Sequence, residues 1–90
     1  MMYKLVDVKP QPAYHLLLTY DDGQQVVFDF RKIIAEGGVY RQLENQTTFA
    51  AVSIGSRGRF IQWPGELEFC ADALRLQGSL IDAQMSVVVA

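Results

Sequence analysis

Cysteine is nearly absent from this 90-residue chain. The single Cys70 has no partner for an internal disulfide, and the one histidine beside it leaves too few soft ligands for a structural zinc site. No apolar run approaches the roughly 18 residues of a membrane span, and no secretory h-region is present. Neither sign of charge prevails: eight basic against ten acidic side chains give a formal net charge of -2. Lys and Arg are nowhere concentrated as a phosphate-tracking surface requires. A nucleic-acid partner and a membrane are therefore not expected, nor is a metal or other cofactor, and a reducing cytoplasm is the expected compartment. Repeats, low-complexity segments and linkers are missing too. One domain is expected, since chains of about 55–65 residues already bury a sufficient core without staples.

What is present reads mostly as strands. YKLVDV (3–8), AYHLLLTY (13–20) and QQVVFDF (24–30) are rich in β-branched and aromatic residues, with Pro10 and Pro12 punctuating the first gap, and suggest a three-strand meander. Residues 31–48 lack alternation and contain Gly37 and Gly38, which predicts short helical turns at 31–35 and near 40–44. FAAVSI (49–54) and RFIQW (59–63), joined through GSRG, read as a second hairpin, and Leu67 to Phe69 as a short further strand. ADALRLQ (71–77) uses good helix formers, with Asp72 in its first turn and Gly78 as its stop. The expected fold class is α+β: an antiparallel sheet built from the meander and the second hairpin, with one short C-terminal helix.

The stretch TYDDGQQ (19–25) sets the register. A two-residue loop at Asp22-Gly23 would pair Leu16 with Asp29. A three-residue loop, Asp21 to Gly23, puts Leu18 with Val26, Leu16 with Phe28 and Tyr14 with Phe30 on one face. Slippage by one residue would expose that apolar set, so the hydrophobic pattern selects the longer loop, with Gly23 in the left-handed conformation. Asp21 and Asp22 are then turn formers that bond nearby backbone N–H groups, rather than an acid pair for chemistry.

The same register sets His15 opposite Asp29. Nucleophilic catalysis would require a Ser, Cys or Thr in reach of the imidazole and oxyanion donors beside it, and Ser53, Ser56 and Cys70 carry no such signature. An ordinary cross-strand contact is the expected role. GSRGRF (55–60) lacks the Lys and Ser/Thr ending of a phosphate loop and joins two strands, which makes it a hairpin loop. Trp63, beside Pro64 at a strand end, reads as a core or rim aromatic. Trp63, Tyr40, Arg57, Arg59 and Glu68 are the residues from which contacts to a partner or a pocket are expected.

The order Tyr20-Asp21-Asp22-Gly23, then Val27 with Asp29 and Phe30, Gly38-Val39-Tyr40 with Leu43, Phe49 and Val52, and Ile61 with Trp63-Pro64 resembles the prokaryotic domain of unknown function family numbered 2442. The resemblance covers residues 3 to about 76. Glu68, Phe69, Asp72 and Leu74 match that family's places after the tryptophan, whereas Glu66 stands where a Gly is usual and Ala71 where a Pro is usual. It implies a small α+β domain, found alone or joined to a helix-turn-helix, and it implies no reaction. Stand-alone members resemble one half of two-gene modules suspected of toxin–antitoxin pairing. With no second helical domain here, direct operator binding is not expected.

Residues 1–76 are thus read as the domain and 77–90 as a tail that adds an edge strand. Three functions remain open. A non-catalytic module that binds a partner protein suits the 50 % apolar content, which fits a sheet that a partner covers. A small-molecule sensor would use a pocket lined by Trp63 and Tyr40. An enzyme would act through His15, Asp29 or the Glu66 and Glu68 pair. The tail, SLIDAQMSVVVA (79–90), ends in Val87, Val88 and Val89, whose extended preference predicts pairing with the chain's own sheet or across a homodimer.

Overall fold

The first hairpin obeys its hydrophobic pattern. In a computed structural model, which describes residues 3–65 and 67–81, strand β2 (His15–Tyr20) pairs with β3 (Gln25–Asp29) so that His15 faces Asp29, Leu16 faces Phe28 and Leu18 faces Val26. The loop has three residues: Tyr20 N–H donates to Gln24 O at 2.9 Å, Gly23 N–H donates to Tyr20 O at 2.9 Å, and Gly23 has φ 87°. Leu16, Leu18, Tyr20, Val26 and Phe28 are consequently buried on one face.

Strand β1 (Leu5–Gln11) adds to β2 as the outer strand of the meander. It runs through Pro10, although that proline was expected to lie in a gap. An edge position explains this, because a missing N–H there need not break a ladder. The turn into β2 is tight. Pro12–Tyr14 form one 3-10 turn in which Ala13 (φ 61°, ψ 37°) and Tyr14 (φ 60°) both occupy the left-handed region without being glycine. This conformation costs an L-residue roughly 1–2 kcal/mol each, so the predicted strand 13–20 starts only at His15.

Helix α1 (Arg31–Ala35) and a 3-10 segment (Gly38–Glu44) occupy the predicted helical turns. The next element departs from expectation: residues 46–50 form helix α2 (Gln46–Ala50), leaving only β4 (Ser53–Ile54) of the predicted strand 49–54. Asn45 caps α2, its side chain accepting from Thr48 N–H at 3.1 Å, and Phe49 is then delivered into the core. A local cap outweighs the β preference of the residues that follow.

Strands β4, β5 (Phe60–Trp63) and β6 (Leu67–Cys70) form a second antiparallel sheet. Meander and second hairpin thus make two sheets within the α+β fold. Helix α3 (Ala71–Gln77) follows β6, and β7 (Ser79–Ile81) pairs antiparallel with β3, giving the first sheet the order β1-β2-β3-β7. Gly78 stops α3, but not through a left-handed cap; a Cβ there would lie 2.2 Å from Val26 Cγ1. The expectation for Val87 to Val89 lies outside the described residues. Both sheets and all three helices contribute to one cluster, in which Phe30, fully buried, meets Phe28, Phe49, Trp63 and Phe69 with ring centroids 4.7–5.9 Å apart.

Candidate functional site

Adjacent strands bring His15 and Asp29 together, and the start of α1 adds Arg31. Asp29 Oδ1 accepts the Arg31 backbone N–H at 2.9 Å, while the guanidinium donates to the carboxylate from Nε at 3.0 Å and from Nη2 at 2.7 Å. These bonds hold the Asp29 carboxyl down at about 2. His15 Nδ1 lies 2.9 Å from Ala13 O and 3.2 Å from Pro12 O, so it carries a proton and donates, because carbonyl oxygens only accept. Nε2 is 3.5 Å from Asp29 Oδ2, too long for a short hydrogen bond, and the two form an ion pair only when the imidazole is protonated. No hydroxyl or thiol hydrogen-bonds to His15 among the described residues. The cluster secures the strained turn and the start of α1, and Asp29 is bound up as an acceptor.

Around this cluster extends the outer face of the four-stranded sheet. Leu17 and Val27 face one another at its centre, both half-buried, with Lys9 opposite Leu17 on β1. Polar side chains frame the pair: His15 and Asp29 toward one end, and toward the other Thr19 and Gln25, joined by a bond of 3.2 Å from Gln25 Nε2 to Thr19 Oγ1. A cavity of about 290 Å3 lies beside it, lined by His15, Val27, Phe28, Asp29, Gln77 and Gly78.

The residues expected to meet a partner or ligand are not gathered in one place. Trp63 is a core residue, only 3 % exposed, whose Nε1–H donates to Phe49 O at 2.8 Å. Tyr40 is half-buried with its ring 6.0 Å from that of Phe69. Neither Trp63 nor Tyr40 lines the cavity beside Asp29 or the one beside the Pro12–Tyr14 turn. Arg59 is engaged inside the fold: it donates to both carboxylate oxygens of Asp72, at 3.0 and 3.1 Å, and to Tyr3 O. Arg57 is exposed in the loop between β4 and β5, with φ 59°. Glu68 is exposed on β6 opposite Gln62, and Glu66 lies outside the described residues.

Two contributors were not anticipated. Arg31 had a signal in the sequence, since an acidic residue just ahead of a helix start is an N-terminal mark. The strained turn had none, because neither Ala13 nor Tyr14 is a residue that favours positive φ. Among the described residues no group of three or more His, Cys, Asp or Glu side chains is placed to hold a metal ion, and no helix is long and apolar enough to cross a membrane.

A family model described as a protein of unknown function (DUF2442) matches residues 5–78. No curated protein and no solved structure matches the chain.

Proposed function

The chain belongs to the DUF2442 family of proteins of unknown function, and we propose that it is a non-catalytic module that binds a partner protein through the outer face of its four-stranded sheet. One observation carries this reading: Leu17 and Val27 stand side by side on that face, half-buried and framed by polar side chains. An apolar centre with a polar rim is the anatomy of a binding surface, in which a few central side chains supply most of the affinity. The partner accordingly presents an apolar patch against Leu17 and Val27 and hydrogen-bonding groups against the rim.

The His15–Asp29 pair supports the non-catalytic half of the proposal. A carboxylate held near 2 by a guanidinium is a weak proton acceptor at neutral pH. The resemblance to one half of two-gene modules supports a partner encoded beside this chain, in the manner of a toxin–antitoxin pair. A sensing role through Trp63 draws less support, because its indole is enclosed in the core.

The test is capture from the native host with the wild-type chain and with Leu17→Glu and Val27→Glu variants shown to be folded by circular dichroism. A specific protein held by the wild type and by a fourth, control chain, Leu76→Glu at an exposed position of α3, but released by both face variants, is the expected result. Equal capture by all four chains, or no specific partner for the wild type, would overturn the proposal.

A further inference from the structure

A second cavity, of about 310 Å3, opens between the Pro12–Tyr14 turn and α2. We propose that it is a peptide-binding site, taking a neutral extended segment that inserts one large apolar side chain. Its apolar walls are four rings and two methyl groups: Pro10, Pro12, Tyr14 and Phe49 with Ala13 and Ala50. Such walls have little rotational freedom to lose when a ligand enters. The volume stands at the lower end of ligand cavities, roughly 300–1,000 Å3, and suits a single aromatic side chain with its flanking amides.

No charged residue contributes to the lining. An ionised ligand group would find no counter-charge there, which favours neutral ligands. The polar part comes from Gln11 and Gln46, both exposed. Carboxamides donate and accept, as a peptide backbone requires.

Backbone strain points to the same place. Ala13 and Tyr14, two consecutive non-glycine residues at positive φ, form one wall. They are held from three directions: His15 Nδ1 donates to the Ala13 and Pro12 carbonyls, Tyr14 Oη donates to Glu44 O, and Phe30 N–H donates to Tyr14 O at 3.0 Å. Strain maintained by surrounding bonds is characteristic of ligand clamps, where it fixes the shape of a site in advance. Here the fixed feature is the gap between the turn and α2.

The experiment is a 1H–15N correlation titration with N-acetyl-tryptophanamide as the probe, and N-acetyl-lysinamide, N-acetyl-glutamic acid amide and indole as comparisons. Saturable shifts confined to Ala13, Tyr14, Phe49 and Ala50, with a Kd of about millimolar order, are expected for the tryptophan amide. Weakening of about five-fold or more is expected for both charged amides and for indole. Ala50→Trp, which fills the cavity from an exposed position, should abolish the shifts while the rest of the spectrum stays dispersed. Ala13→Gly should raise the denaturation midpoint, because it relieves the left-handed strain, and should weaken binding. The assignment is overturned by an absence of shifts, by equal binding of a charged amide, by indole binding as tightly as the amide, or by shifts that persist in Ala50→Trp. Leu17 and Val27 do not line this cavity, so this site and the proposed sheet-face interface fail or stand separately.

Discussion

Arg75 on α3 closes on Asp22 at the tip of the first hairpin, with Nη2 3.0 Å from Oδ2. Its guanidinium also lies 4.3 Å from the ring centroid of Tyr3 and 4.9 Å from that of Tyr20. One side chain therefore ties the N-terminal segment, the meander and α3 together. Arg75→Ala should destabilise by about 1 kcal/mol through loss of the cation–π contacts, and Arg75→Lys by less. Urea melts of the two variants check this; an unchanged midpoint for Arg75→Ala would show that the two rings do not depend on it.

Two glycines should fail for different reasons. Gly23 has φ 87° and nothing near a built Cβ, so Gly23→Ala meets only a conformational penalty of about 1 kcal/mol. Gly78 has an ordinary φ, but a Cβ would clash with Val26 and with Leu74 O. Gly78→Ala is expected to cost more, about 2–3 kcal/mol, as overpacking. Asp21→Asn, at an exposed turn position, should change little. Chemical denaturation of all three ranks them, and equal losses for the two glycines would refute the distinction.

Acid should loosen the clamp between the N-terminus and α3. Asp72 is held at about 2, first by Arg59 and then by the backbone N–H of Tyr3, and Asp29 is held at about 2 by Arg31. Both folded values lie below the ordinary 3.8, so the unfolded chain takes up protons first as pH falls. The stability these carboxylates contribute is complete above about pH 4 and is lost as pH falls through about 2. Urea midpoints measured across that window should decline, and more shallowly for Asp72→Asn. Parallel declines for variant and wild type would assign the acid sensitivity elsewhere.

The tail gives a test of self-association. A chain truncated before Gln84 retains Ser79–Ile81, which pair with β3. If residues 84–90 support a homodimer, as their β-branched run suggests, light scattering should show a shift from dimer toward monomer or aggregate on truncation. A well-folded monomer before and after the deletion would sink the dimer.

Residue patterns were informative where one face is buried. The 16/28 and 18/26 pairings, the three-residue loop and the bounds of α3 were legible because a slip would expose Leu16, Leu18, Val26 and Phe28 or break a run of helix formers. Residues 49–50 were misread as strand because β propensity is weak against a cap such as Asn45, whose bond to Thr48 N–H is visible only in the fold. Trp63 was legible only as a core or rim aromatic, and its donation to Phe49 O depends on α2 being a helix.

By itself the sequence determined the strand register and the class of fold, because alternation and turn chemistry are local and leave few alternatives. Tertiary structure decided the rest. It split the strands into two sheets, bound Asp22 to Arg75, and forced Ala13 and Tyr14 to positive φ. These features arise from contacts between residues far apart in the chain or from strain that neighbours impose. A residue's type does not encode such surroundings, and they shape both the sheet face and the cavity.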